Sequence, residues 1–195
     1  MTFLCACFDH HIICRDHLPA AMRWGQEMEG TARAGYIAMM ESNGQPVNVT
    51  PTGLTLSQTM PYLGASTDGK VEDRSMAKPN GILEVKCPYS MNKIDIRNSS
   101  VQEIVDSGQG NRFYVGKSES GFSLKHDSDY YSQVQGEMAL TGAQWCDFVV
   151  WTKVDTFVER IKFDAKFWED VLLPKLKLFY GERILPLIES GQIGP

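Results

Sequence analysis

Hydrophobic residues recur at spacings of three and four in the first part of the chain, which predicts a helix with one buried face. The pattern runs from 20 to about 41, and Asn43-Gly44 followed by Pro46 predicts the end of the helix. Glu29 lies within the apolar stripe. Because a buried acid is costly unless it is paired or binds a metal, Glu29 is either an edge residue that reaches water or a functional residue.

Short segments in which polar and apolar residues alternate follow this helix and predict strands. An Asp-Gly pair is a turn signal, so Asp68 in its simplest interpretation is a hairpin residue. The predicted strands of this part are 47–50, 53–56 and 61–66, and a polar loop follows over 72–80.

The next strand, predicted at 81–88, carries two charged residues in its alternating pattern. Glu84 and Lys86 point to the same side of this strand, whereas Leu83 and Val85 point to the other side. The simplest interpretation is a surface ion pair, which contributes little to stability. The alternative is that the pair belongs to a functional site.

The second half of the chain predicts further strands and helices. Ser100 and Asp127 are predicted to cap two helices, and Gly142 ends the second of them. The predicted order is a helix at 99–107, two strands within 112–124, a helix at 128–141, strands at 146–151 and 156–163, and a last helix after Asp164 that Pro174 breaks or restarts. This order predicts a mixed α/β domain with a central sheet flanked by helices.

Composition and charge exclude several classes of protein. The chain has 195 residues with a net charge of −5, which excludes a highly basic nucleic-acid-binding protein. No apolar run is long enough to span a membrane, and the first residues lack the features of a signal peptide. The five cysteines are odd in number and irregularly spaced, which favours reduced thiols. We therefore expect an intracellular protein, cytoplasmic or nuclear and not secreted.

Several of these cysteines cluster with histidines near the start of the chain. Structural zinc sites usually take their ligands as two closely spaced pairs, and the spacing of this cluster, within 1–18, matches none of the usual patterns. The segment is therefore either a loosely packed end or an unusual metal site.

Four candidate functional groups follow one another along the chain: Glu29, Asp68, the pair Glu84 and Lys86, and the pair Tyr130 and Gln133. The sequence motifs around them are specific. Asp68 followed by Glu84-x-Lys86 has the form of a PD-(D/E)xK nuclease core, which is a weak signal when taken alone. The surrounding sequence resembles the lambda exonuclease, or YqaJ-type viral recombinase, family over about 20–187. The matching segments are Trp24–Arg33 (WGQEMEGTAR), Leu63–Gly69 (LGASTDG), Gly81–Pro88 (GILEVKCP), Tyr130–Gln135 (YYSQVQ) and Cys146–Trp151 (CDFVVW).

The resemblance implies a fold, a cofactor and a set of site residues. The fold is α/β, a PD-(D/E)xK restriction-endonuclease-like core with a central mixed sheet flanked by helices. The cofactor is Mg²⁺ or Mn²⁺, with two ions. Lys86 would orient the attacking water. The catalytic residues implied are Glu29, Asp68, Glu84, Lys86 and Gln133; the metal ligands are Asp68, Glu84, the Val85 carbonyl and Glu29; the substrate-supporting residues are Tyr130 and Gln135.

The same resemblance implies an activity and partners. It implies a metal-dependent exonuclease that digests one strand from double-stranded DNA ends, 5'-to-3', in recombination or DNA processing. Members of the family form ring-shaped homotrimers, and a single-strand annealing protein is a further partner that we expect. Two alternatives remain open: an endonuclease or structure-specific nuclease on the same core, and a binding or assembly module that has lost catalysis.

The chain departs from the family pattern in two places. Thr67 replaces the proline that precedes the acidic residue of the family's S-P-D-G turn. Only about 19 residues precede the first helix, where the family's phage member has a longer region that helps hold the DNA end. We therefore predict an N-terminal extension at 1–19 and a nuclease domain at 20–190.

Overall fold

The computed structural model describes residues 19–96, 98–99, 103, 114–118 and 121–193. The cysteine and histidine cluster within 1–18, most of the predicted helix at 99–107 and part of the predicted strand pair within 112–124 lie outside these residues.

Nine strands are described, and five of them form the central sheet. In chain order they are β1 (Asn48–Thr50), β2 (Thr55–Leu56), β3 (Gly64–Ala65), β4 (Gly69–Glu72), β5 (Asn80–Lys86), β6 (Val115–Ser118), β7 (Gly121–Leu124), β8 (Trp145–Trp151) and β9 (Thr156–Lys162).

The described helices cover the sheet and extend from it. They are α1 (Ala20–Ser42), a 3₁₀ turn (Tyr89–Met91), α2 (Asp129–Thr141), α3 (Ala165–Phe167), α4 (Leu173–Phe179) and α5 (Leu185–Glu189), with π turns at Trp168–Leu172 and Tyr180–Ile184. None of the helices in the described residues is both long and apolar enough to cross a membrane.

The central sheet is mixed, as the sequence predicted. Its spatial order is β1-β4-β5-β8-β9, and β2-β3 and β6-β7 are separate antiparallel pairs. Within the sheet β5 and β8 run parallel, with Glu84 opposite Phe148, and the other neighbours are antiparallel. Because parallel neighbours need a crossover connection, the chain between β5 and β8 must cross the sheet, and it carries α2 with it.

The two faces of the sheet bury separate hydrophobic cores. Leu83 and Val85 of β5 face α1, whereas Ile82 of the same strand faces α2, so the predicted alternation of this strand is confirmed. The α1 core contains Ala32, Tyr36, Met40, Val71, Leu83, Val85, Trp145 and Val149; the α2 core includes Ile82, Tyr131, Val134, Met138, Cys146, Phe148 and Val150.

Two local predictions were wrong. Gly69 begins β4 where a hairpin turn was predicted, because the segment pairs with both β1 and β5. The side chain that caps α2 is Ser128, which accepts a hydrogen bond from the Tyr131 N–H, and Asp127 lies outside the helix. The last helical region restarts at Pro174, as predicted: α4 begins with Pro174 in its first turn, directly after a π turn, and α5 begins in the same way with Pro186.

A buried polar cluster ties α1 to the sheet. The Tyr36 hydroxyl donates to Asp147 Oδ2 at 2.5 Å. The Arg160 guanidinium donates to both oxygens of Asp147, at 2.7 and 2.8 Å, and to Asp73 Oδ2 at 2.6 Å. Its Cζ also lies 3.9 Å from the centroid of the Trp145 ring. We refer to Tyr36, Asp73, Asp147 and Arg160 as the α1 anchor.

Gly81 provides a test of the packing of the sheet. A Cβ at this position would lie 2.4 Å from ring atoms of Trp145. We therefore expect Gly81→Ala to lower the free energy of unfolding by about 2 kcal/mol or more, because a packed core resists added volume. Denaturant unfolding measures the loss. Gly53→Ala is the control, since a Cβ there meets no atom within 4 Å; equal effects of the two substitutions would contradict the prediction.

Candidate active site

Asp68 is placed against β5 by backbone pairing. Its N–H donates to the Leu83 carbonyl at 3.1 Å, and its Oδ2 accepts from the Val85 N–H at 2.7 Å. The preceding Thr67, which takes the place of the family's proline, is buried, and its hydroxyl lies 2.9 Å from that of Thr52. These bonds fix the Asp68 carboxylate beside the strand that carries Glu84.

Glu84 and Lys86 point from β5 toward α2, where both contact the side-chain amide of Gln133. Lys86 Nζ donates to Glu84 Oε1 at 2.5 Å and to Gln133 Oε1 at 3.1 Å. The Gln133 amide donates in turn to Glu84 Oε1 at 2.7 Å. Lys86 Nζ also lies 4.4 Å from the centroid of the Tyr130 ring. The structure therefore brings together three of the predicted residues in one hydrogen-bonded group, with the ring of a fourth, Tyr130, against the Lys86 amine.

Glu29 lines the same pocket from α1 and interacts electrostatically with Asp68. Its carboxylate lies 3.8 Å from the Arg33 guanidinium one turn further along the helix, and its side chain is 38% exposed. Arg33 also donates to the backbone carbonyl of Asp68 at 3.0 Å. Arg33 thus links Glu29 to the strand end, although the sequence analysis assigned it no role.

These groups line one pocket of about 750 Å³. The pocket lining combines carboxylates with tyrosine rings. Its lining includes Glu29, Arg33, Thr52, Asp68, Glu84, Val85, Lys86, Tyr89, Tyr130 and Gln133.

Gln135 is the predicted site residue that the structure places elsewhere. Its side chain is fully buried on α2, where its amide donates to the Lys162 carbonyl and accepts from the Asp164 N–H. It is absent from the lining of the described pocket. Gln135 therefore joins α2 to the end of β9, and we propose no contact with substrate for it.

Crowding of negative charge raises the pKa of several carboxyl groups. Burial and the neighbouring Glu84 raise the pKa of Asp68 to about 7. Burial and Asp68 raise the pKa of Glu29. Burial acts to lower the pKa of Lys86, but the charge and hydrogen bond of Glu84 outweigh it and raise the pKa overall. The amine is therefore charged at neutral pH and partly neutralises the cluster.

The raised pKa of Asp68 predicts a pH dependence of stability. The folded protein holds a proton on Asp68 over the interval from about 4 to about 7 in which the unfolded chain has lost it. Without divalent cations, stability should therefore fall as the pH rises through this interval. Relative to Asp68→Asn, we expect the wild type to gain about 1–2 kcal/mol between pH 8 and pH 5.5. Denaturant unfolding at both pH values measures this; parallel pH curves would contradict it.

The donor chemistry of the pocket fits a hard divalent cation. Glu84 Oε2 is buried without a hydrogen-bond partner, while Oε1 is occupied by Lys86 and Gln133. Carboxylate and carbonyl oxygens are the ligands that Mg²⁺ prefers, and a cation offsets the charge that an orphaned carboxylate oxygen leaves buried. In the described residues no three acidic, cysteine or histidine side chains are already gathered as a metal site.

The structure adds one acid that the sequence analysis did not include in the site. Glu137 lies one turn beyond Gln133 on α2, is 2% exposed, and accepts a hydrogen bond from the Gln133 amide at 2.9 Å. Burial and the nearby Glu84 raise its pKa well above the usual range. The sequence signal for it was its position on the same helical face as Gln133.

The arrangement of an acid at a strand end beside Glu84-x-Lys86, on a mixed sheet flanked by helices, defines a nuclease core of the PD-(D/E)xK class. The sequence profile of the YqaJ-like viral recombinase domain matches residues 6–144. The chain therefore belongs to the YqaJ-like viral recombinase domain family.

Solved structures agree with this assignment. The chain is similar to an alkaline exonuclease, LHK-Exo, from Laribacter hongkongensis, with 28% identity and a TM-score of 0.60 over 90% of this chain and 75% of that one. It is also similar to LHK-Exo in complex with dAMP, with 26% identity and a TM-score of 0.58 over 98% of this chain and 83% of that one. No curated protein matches the chain significantly. These likenesses support a nuclease.

Proposed function

We propose that the chain is a metal-dependent exonuclease that digests one strand from the ends of double-stranded DNA. The observation that carries this proposal is the grouping of Asp68, Glu84 and Lys86 around an orphaned carboxylate oxygen in one pocket. Hydrolysis of a phosphodiester needs its negative charge neutralised and a water activated, and an oxygen-rich pocket with one amine suits both tasks.

Mg²⁺ or Mn²⁺, as two ions, is the cofactor that this proposal requires. Asp68 and Glu84 would hold it, with the Val85 carbonyl and Glu29 as further ligands. When bound, the metal would supply charge neutralisation at the phosphate and a water of lowered pKa.

The remaining groups act on water and substrate. Lys86 donates from a fixed position beside Glu84 and would orient the attacking water or offset charge on the phosphate. Gln133 holds the Lys86 amine through its carbonyl oxygen. Tyr130 presents its ring to the same amine and lines the pocket wall, where it would support the nucleotide. A 5'-to-3' direction is part of the proposal and follows from the family resemblance.

Family membership and the similar exonuclease structures support DNA as the substrate. The structure of LHK-Exo in complex with dAMP places a deoxyribonucleotide on a similar fold. We further propose a ring of three copies around DNA, in which enclosure rather than a basic surface retains the duplex, because the net charge of this chain is −5. A single-strand annealing protein would take up the strand that remains.

A linear duplex labelled at either its 5' or its 3' ends tests the activity, the metal requirement and the direction together. We expect release of the 5' label first, only with Mg²⁺ or Mn²⁺, and no cutting of a closed circle. Cutting of the circle would instead indicate an endonuclease. Folded protein that releases neither label at millimolar concentrations of either metal would overturn the proposal in favour of a binding or assembly module.

A further inference from the structure

Glu137 is a buried acid with only one hydrogen bond in the described structure. It lies on α2, four residues beyond Gln133, with 2% of its surface exposed. Its Oε1 accepts from Gln133 Nε2 at 2.9 Å, and its Oε2 is buried without a partner. Leaving a carboxylate oxygen in this state costs stability, so an apolar residue of similar size would suit the core better.

The hydrogen bond that the Glu137 side chain accepts fixes the orientation of the Gln133 amide. Gln133 Nε2 donates to Glu84 Oε1 at 2.7 Å as well as to Glu137 Oε1, so both of its hydrogens are engaged by carboxyl oxygens. The opposite end of the amide, Oε1, then faces Lys86 Nζ at 3.1 Å. Reversal of the amide would turn its NH₂ group toward the ammonium of Lys86 and its oxygen toward the acceptor oxygens of Glu84 and Glu137.

We propose that Glu137 is a positioning residue that acts on the reaction through Gln133. By engaging the second amide hydrogen, it keeps the Gln133 carbonyl oxygen against Lys86 and so keeps the Lys86 amine beside Glu84. Its role in the reaction rests on the proposed function, whereas the hydrogen bond and its effect on Gln133 do not. Glu137 makes no contact with substrate in this proposal.

The test compares two substitutions that differ in hydrogen-bonding capacity. Glu137→Met keeps the volume and removes the acceptor; we expect kcat to fall about 10–100-fold, KM for duplex DNA to stay within about threefold, and stability to stay equal or rise. Glu137→Gln retains an acceptor oxygen without the charge, and we expect it to keep kcat within about threefold of the wild type. If the Met variant does not fold, Glu137→Ala carries the same expectation for kcat and KM, with a lower stability because it leaves a cavity.

Asp147→Asn is the matched control, because it removes a charge at an equally buried position of the α1 anchor, outside the pocket. We expect it to lower stability and to leave kcat per folded molecule unchanged. A Glu137→Met enzyme with wild-type kcat, or a Glu137→Gln enzyme impaired as strongly as the Met variant, would overturn the proposal.

A second measurement works without any enzymatic activity. The side-chain amide signal of Gln133, assigned by its loss in Gln133→Leu, is observed by NMR. In Glu137→Met we expect its hydrogens to exchange with solvent at least about tenfold faster than in the wild type, because one is no longer bonded. Unchanged exchange would overturn the proposal even if the nuclease is active. If exchange is faster in Glu137→Met but the wild type degrades no DNA, the hydrogen bond between Glu137 and Gln133 is upheld and the proposed nuclease function is wrong.

Discussion

Asp68→Asn is expected to lower DNA hydrolysis about a thousandfold or more, the largest effect on activity that the structure predicts. The substitution preserves the size of the side chain and an oxygen that can still accept from the Val85 N–H. It removes the negative charge between Glu29 and Glu84 that the proposed cation requires. Rates of label release from a duplex end, measured at saturating Mg²⁺, give the effect.

The same substitution should remove most of the stabilisation of the protein by metal. Wild-type protein is expected to show a higher Tm with excess Mg²⁺, since a ligand that binds only the folded state stabilises it. Asp68→Asn should lose most of that shift and be more stable than the wild type without metal, because burial and Glu84 disfavour the charged Asp68. Asp127→Asn, at an exposed acid, is the control. An unmoved Tm in both the wild type and the Asp68 variant would count against the site.

Asp147→Ala is expected to lower the free energy of unfolding by about 3–5 kcal/mol, the largest loss of stability that we predict. Asp147 is 1% exposed and accepts hydrogen bonds from Tyr36 and Arg160. Its removal leaves the Tyr36 hydroxyl without its acceptor in the α1 anchor. The Arg160 guanidinium keeps only its ion pair with Asp73 within the anchor. Denaturant unfolding measures the change.

Asp147→Asn provides the graded comparison, because an amide oxygen can still accept from Tyr36. We expect its loss of stability to be about half that of the alanine variant. A loss below about 1 kcal/mol for Asp147→Ala would mean that the α1 anchor adds little to stability and that the apolar contacts of α1 suffice.

Much of the fold could be predicted because the patterns along the chain agree with its tertiary contacts. The apolar stripe of α1, the alternation of β5 and the left-handed Gly142 at the end of α2 each appear where the sequence placed them. The strand at Gly69–Glu72 could not be predicted, since four residues carry little periodicity and their conformation depends on pairing with β1 and β5.

Much of the candidate site could also be predicted, in this case from residue spacing and from the family motifs. Spacing put Glu84 and Lys86 on one side of a strand, and the family motifs added Asp68 and Gln133, but no local signal reveals which polar groups touch across a sheet. Glu137 illustrates this limit, because an acid on an amphipathic helix is ordinarily exposed and only the docking of α2 on β5 buries it.

Because β5 pairs in parallel with β8, the parts of the candidate site are synthesised far apart in time. The acids on β5 and its neighbours leave the ribosome early, whereas Gln133 and the strand that fixes β5 from its other side are made some fifty to sixty residues later. Non-local pairing of this kind forms only after the intervening segment has closed its loop. The candidate site is therefore complete only after α2 and β8 have been made and have packed against β5.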